Sequence, residues 1–377
     1  MKALFFVSLI ALCGAANVSA TTLHVPSEYP TILAAITASA TGDTVLLASG
    51  TYTGWDNTYV SVNRAILITS ETGNPADVII DGEMREERFA FDLEADVTIR
   101  GVTVTRMISG GGTYGAIRTL IGSDDIRIIN CVVSWCRNGA IYIGAGYAAI
   151  EGCVIENNDV GSGNVSAVTC QNNSVLHISR TTVRNNYNTG DGGGVKANDA
   201  TVVIDNCVIS HNTADWGGGI DAGGGTITIS NTAIVANHAS PIGGGMYVSG
   251  TNMTLINVTV AGNSASNDGG PGIFAHTNTR LHFDHTVVWG NIGGDIKIEN
   301  ATVTASCSDF PDDTPDDDNI STDPLFCDPS NGDYSLWDVS PALHQTCGPM
   351  GAYIQPGCVT PTAVQPTTWS AIKAQYR

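Results

Sequence analysis

Between Val97 and Cys307 apolar residues recur in register every 22 to 29 residues, through eight copies and a shorter ninth. A shared reference position is occupied by Val102, Cys131, Cys153, Thr181, Cys207, Thr232, Val258, Thr286 and, in the last copy, Ala301. Five and three residues before it stand apolar pairs such as Val97 and Ile99, Ile126 and Ile128, Val202 and Ile204, and finally Ile296 and Ile298. Two residues after it the row reads Val104, Val133, Ile155, Val183, Ile209, Ile234, Val260, Val288 and Val303.

Side chains two apart lie on one face of a strand, so each even step belongs to one strand. Each odd step must be a corner, because a straight strand would turn half of its apolar residues to water. One corner separates the first pair from the reference position. A second precedes position plus five, where Asn158, Asn186, Asn212, Asn237, Asn263 and Asn291 form a column. A glycine cluster then leads to a third apolar start at Ile117, Ile141, Val168, Val195, Ile220, Met246 and Ile273. Three short strands and three turns per copy predict an all-β fold, a three-sheet parallel β-helix with stacked coils.

The asparagine column has its own logic. An inward amide offers donors and an acceptor, and coils about 4.8 Å apart bring successive amides within reach of each other and of turn backbone. The six asparagines are therefore expected to be a structural ladder.

The flanks predict the remaining segments. Residues 1–20 read as a secretory leader, with Lys2, the apolar run Leu4 to Leu12, and Val18-Ser19-Ala20 as a cleavage site; the run is too short to span a bilayer. Residues 21–55 form an N-terminal cap with a helix around Ile32 to Ile36, which would shield the open end of the stack. Coils are expected over 56–306, a C-terminal coil and cap over 307–358, and a linker and short tail over 359–377.

Composition narrows the partners. Loss of Lys2 with the leader takes the formal charge from −20 to −21, which excludes nucleic acid, since no basic patch exists to displace counterions. Acidic glycans are disfavoured unless calcium bridges like charges. A calcium site is conceivable at Asp312, Asp313, Asp316, Asp317 and Asp318, but the alternating ligand spacing of a calcium loop is missing and a solvated loop is the expectation. Cys131, Cys153, Cys170 and Cys207 fall on inward rows and are expected as free thiols, whereas Cys307, Cys327, Cys347 and Cys358 occupy a loop-rich segment suited to disulfides.

The opening Val25-Pro26-Ser27-Glu28-Tyr29-Pro30-Thr31-Ile32, followed by Gly42-Asp43-Thr44-Val45 and Gly50-Thr51-Tyr52, resembles secreted bacterial right-handed parallel β-helix proteins of the pectin-lyase-like superfamily. Val183-Arg184-Asn185-Asn186 with Gly192-Gly193-Gly194-Val195 is similar to the repeats of polymorphic outer-membrane adhesins, with glycine in place of their alanine. This resemblance implies the fold. It implies little about activity, because the superfamily holds lyases, hydrolases, esterases and non-enzymatic proteins.

Candidate chemistry lies on the residues just after the third apolar start: Arg118, Tyr142, Thr169, Lys196, Asp221, Tyr247 and Phe274. Alternation points them outward, with Trp216, Asp191 and Asp215 on the turns leading to the same face. Tyr142, Tyr247 and Phe274 would lie under sugar rings, while Lys196 and Asp221 would offer polar contacts; Arg118 and Trp216 complete the expected ligand-binding set. As a plain surface feature, Lys196 and Asp221 would be an exposed ion pair of little energetic weight. The resemblance places substrate on this face in related enzymes and makes Asp191, Asp215, Lys196 and Asp221 the catalytic candidates, although the Asn-x-Asp, Asp-Asp and Gly-His-Gly sets of the related hydrolases are not assembled. The expectation is an exported surface or extracellular protein, non-catalytic and adhesin-like, that binds glycans or other surfaces without a cofactor; the alternative is a polysaccharide lyase or glycoside hydrolase on the third-sheet face.

Overall fold

The computed structural model describes residues 19–110, 115–120, 125–161, 165–266, 269–311 and 318–359. The expected leader, the tail and the acidic residues Asp312, Asp313, Asp316 and Asp317 lie outside the described residues, apart from the leader's last two positions and Val359.

The chain coils into a right-handed parallel β-helix with long sheets of twelve, ten and ten strands. Strands of consecutive coils pair in parallel and in register: Ile126 faces Ala148, Val133 faces Ile155, and Ile141 faces Val168. One continuous apolar core fills the coil interior from Leu23 to Phe310. At the N-terminal end the helix Ile32–Ala38 buries Ile32, Ala35 and Ile36 against it, and Thr31 caps the helix by accepting from the Ala34 N–H at 3.2 Å. No helix among the described residues is long and apolar enough to cross a membrane.

The asparagines form one buried column. The Asn212 amide nitrogen donates to Asn237 Oδ1 at 3.0 Å and to the Val183 carbonyl at 2.9 Å, and the same pattern runs from Asn158 to Asn291. The reference column at the other corner is a second ladder. Backbone N–H groups of Cys153, Cys207 and Thr286 donate to the hydroxyls of Thr181, Thr232 and Ser308 on the next coil, and the Cys131 N–H lies 3.4 Å from Cys153 Sγ. Threonine, serine and cysteine recur there because a corner N–H inside the core needs an acceptor.

Three expectations are corrected. The ninth copy is out of register: Ile296 and Ile298 belong to the third sheet, facing Ile273 and Ala275. The true last members are Val303 and Ala305, facing Leu281 and Phe283, with Ser308 at the reference position. Apolar alternation alone cannot tell which sheet a two-residue period serves, and Ile-Lys-Ile satisfied both. Each coil from Asp159 to Ala265 also carries a fourth short strand after the asparagine, so that a five-stranded sheet joins the three. Finally, the third-sheet row is not exposed.

The C-terminal cap is a small three-stranded sheet tied by Cys307–Cys347 and Cys327–Cys358 disulfides, while Cys131, Cys136, Cys153, Cys170 and Cys207 are free and buried.

Candidate functional site

Hydrogen-bond register aligns the row after the third apolar start without a break. It runs Ser61, Asp92, Arg118, Tyr142, Thr169, Lys196, Asp221, Tyr247, Phe274 and Lys297, one residue per coil. The structure thus brings every row residue predicted from sequence into one line, and adds Ser61, Asp92 and Lys297 to it. Asp92 is missed because its coil precedes the regular repeats, and Lys297 because its coil was assigned to the wrong sheet.

The row faces away from the core, yet Arg118, Tyr142, Thr169, Lys196, Asp221 and Phe274 are buried and Tyr247 is half-buried. Over Lys196, Asp221 and Tyr247 the cover includes the glycine turn of the coil, which folds back over the strand it precedes, whereas Arg118 lies against the Phe89 ring. Gly192, at φ +73°, lies so close that an added Cβ would sit 3.1 Å from Lys196 Cβ and 3.3 Å from Asp221 Cβ. Inside the same turn a Cβ on Gly194 would meet the Gly219 carbonyl at 2.6 Å, so the stacked turns admit no side chain there. Alternation predicts direction but not what else occupies that side, and the glycines read equally well as exposed turns.

Burial changes the chemistry of the middle of the row. Lys196 Nζ lies 3.1 Å from Asp191 Oδ2 and 3.3 Å from Asp221 Oδ2, with its side chain 3% exposed. This is a buried charge cluster, not the exposed pair expected. Burial pushes the Asp221 carboxyl up to about 6; the Lys196 ammonium pulls it down, and the Asp191 charge adds to the rise. Asp215 is exposed on the fourth sheet and joins no ion pair among the described residues. Toward the N-terminal end Arg118 donates to Asp92 at 2.8 Å, also buried, and the Tyr142 hydroxyl accepts from the Gln171 amide.

At the other end the row is aromatic. Trp216 comes from the fourth-sheet strand Thr213–Trp216 and lies with its ring centroid 5.0 Å from that of Tyr247. Tyr247 stacks on Phe274 at 5.7 Å and 21°, and Phe274 on His276 at 5.7 Å and 22°. Lys297 Nζ sits 5.5 Å from the Phe274 centroid. Trp216 is 39% exposed and Tyr247 and His276 are half-buried, so the stack opens to solvent at one edge. His276 was not singled out from the sequence; its place two residues beyond Phe274, on the same face of the strand, was the available signal.

A metal site is not assembled from the one His/Cys/Asp/Glu group that comes together among the described residues. His285, Cys307 and Cys347 place their ligand atoms within 4.8 Å of one another, but the two sulfurs are bonded to each other.

Comparison with known proteins bears on the fold. No curated protein matches the chain. Among solved structures it is similar to a pectate lyase, Pel9A, at 16% identity and a TM-score of 0.59, covering 85% of this chain and 90% of that one. A mannuronic acid specific polysaccharide family 6 lyase from human gut microbiota aligns at 11% identity over 75% of this chain and 78% of that one, with a TM-score of 0.29. Residues 115–310, just over half of the chain, match the family model for the right handed beta helix region. With the parallel register of its coils and their continuous core, this chain belongs to the right-handed β-helix family.

Proposed function

We propose that this protein is an exported, non-catalytic glycan-binding protein that holds neutral sugar rings on the aromatic edge of the third sheet. The observation that carries this reading is the continuous contact of Trp216, Tyr247, Phe274 and His276, open to solvent at Trp216. Flat rings on a rigid sheet offer apolar platforms to sugar C–H faces at little cost in side-chain entropy. The charged candidates are engaged elsewhere: Lys196 is buried against Asp191 and Asp221, away from any substrate proton. The charge of −20 favours a neutral ligand over an acidic one. Export is supported by the apolar leader of the sequence and by two disulfides in the C-terminal cap, a bond type that persists in oxidising compartments.

The test is a panel of neutral and acidic oligosaccharides, with binding and product formation followed together, with and without a calcium chelator. Neutral glycans should bind, chelation should change nothing, and Trp216→Ala and Tyr247→Ala should each weaken binding several-fold, in line with the ~0.5 to 1.5 kcal/mol that an aromatic contact contributes. Release of reducing ends or unsaturated sugars would instead support the lyase or hydrolase reading. Wild-type affinity in both variants would remove this edge from consideration.

A further inference from the structure

Among the described residues six buried side-chain atoms lack a hydrogen-bond partner, and three of them fall on one ion pair, Asp92 Oδ1 with Arg118 Nε and Nη1; a fourth is Arg88 Nε. This concentration is unusual, because buried donors are ordinarily satisfied and each orphan costs free energy. Arg118 and Asp92 are adjacent in the third-sheet row, and their contact uses a single N–H···O bond at 2.8 Å, leaving two nitrogens of the guanidinium unused. The Arg118 guanidinium lies over the Phe89 ring at 3.9 Å, and Phe89 packs on Tyr59 with centroids 4.3 Å apart. Tyr59 in turn meets Trp55, over which the Arg88 guanidinium lies at 3.7 Å. Arg88 spends one donor on Thr58 Oγ1 at 2.7 Å.

Arg118 and Asp92 form a buried ion pair that uses one nitrogen of the guanidinium, while Arg88 lies beyond Phe89, Tyr59 and Trp55. Burial and the like charge of Arg85 hold the Arg88 guanidinium below its ordinary range, against the opposing charge of Glu83. A single oxyanion would supply acceptors for the Nε and Nη1 donors of Arg118. Guanidinium forks suit carboxylate and sulfate oxygens. Trp55, Tyr59 and Ser61 are exposed at this end of the sheet, with Ser61 next to Asp92 in the row.

We propose that Arg118, held by Asp92, forms an oxyanion-binding site at the N-terminal end of the third sheet, taking one carboxylate or sulfate group. It lies five strands away from Tyr247 and does not depend on the glycan reading of the aromatic edge. The group is either a free small anion or a substituent on a sugar, and the two sources differ in what the exposed rings add.

Calorimetric titration of the full chain with sodium acetate, sodium sulfate, sodium glucuronate and glucose, at constant ionic strength, tests the assignment. At least one oxyanion should bind saturably with a stoichiometry of one, and glucose should not bind at this site. Comparable binding of acetate or sulfate and glucuronate identifies a free anion. Glucuronate at least tenfold tighter than acetate identifies a sugar-borne group resting on Trp55 and Tyr59. Arg118→Lys keeps the charge facing Asp92 and so the fold, but it removes the unused donors and should weaken binding at least tenfold; Arg180→Lys, at an exposed arginine, should not. Absence of saturable oxyanion binding in wild type, or wild-type affinity in a folded Arg118→Lys variant, would overturn the site.

Discussion

Asn237 Oδ1 accepts two hydrogen bonds from Asn212, from its backbone N–H at 3.0 Å and from its side-chain amide at 3.0 Å, so one oxygen closes two donors of the coil before. Asn212 Oδ1 does the same for Asn186. Asn212→Ala therefore orphans a buried N–H, a buried amide and the Val183 carbonyl at once, and should lower stability by at least roughly 1 to 3 kcal/mol. Asn252→Ala, at an exposed asparagine whose side chain makes one 3.4 Å contact with Arg280, should be near neutral. Denaturant unfolding of both variants is the check, and equal midpoint shifts would contradict the ladder.

The register of the repeats was readable because core rows recur at fixed offsets, and the asparagine column because six copies in phase exceed what turn preference explains. The second ladder was also visible, in the Thr181, Cys207, Thr232 and Thr286 column, but its members pass for small core residues. What could not be read was the cover over Lys196 and Asp221. It depends on how the backbone of Gly192 and Gly217 folds back across the strand, and glycine carries no side chain whose polarity would announce it. The fourth strand was hidden for a related reason: Tyr187-Asn188 and Thr213 to Trp216 are too short to show a period.

The five free cysteines among the described residues should be silent in the folded protein. Burial pushes the Cys136 and Cys170 thiols up to about 12 and the Cys207 thiol up to about 11, so neither access nor thiolate is available to an alkylating reagent. After denaturation without reductant, mass spectrometry should find label on Cys131, Cys136, Cys153, Cys170 and Cys207, and none on Cys307, Cys327, Cys347 or Cys358. Protection of any coil cysteine in the denatured chain would show a disulfide that the register does not allow for.

Asp309 should make the last coil less stable at alkaline than at acidic pH. Its side chain is fully buried, Oδ1 accepts the Thr322 N–H at 3.1 Å, and Oδ2 has no partner. Burial pushes its carboxyl up to about 7; the Thr322 hydrogen bond opposes the rise and the Asp323 charge adds to it. The folded state thus holds a proton that the unfolded chain, with an ordinary value near ~3.9, has already released. The contribution to stability is full below pH ~4 and is lost as pH rises through about 7. Asp309→Asn keeps an acceptor for Thr322 and removes the charge. It should melt higher than wild type at pH 8, by an amount equivalent to roughly 2 to 4 kcal/mol, and about equally at pH 4. A gain of the same size at both values would rule out titration as the cause.

The Lys196 cluster separates a structural from a chemical role for the third-sheet row. Lys196→Met leaves Asp221 buried without its cation, and loss of one partner of a buried pair typically costs ~3 to 5 kcal/mol. The Lys196 ammonium is what now pulls the Asp221 value down against burial, so in the variant it must rise above about 6. A raised carboxyl is stabilising while protonated and loses that contribution as pH rises through its folded value. The deficit of Lys196→Met should consequently be large at pH 8 and smaller at pH 4. Adding Asp221→Asn to Lys196→Met removes the stranded charge and should recover much of the stability at pH 8, while Asp191, which is partly exposed, can turn to water. Thermal melts of the single and double variants at the two pH values decide it. A loss that is independent of pH and is not relieved by Asp221→Asn would mean that Lys196 supports the fold by packing its methylenes under the glycine turn, and that its charge plays no part in the row.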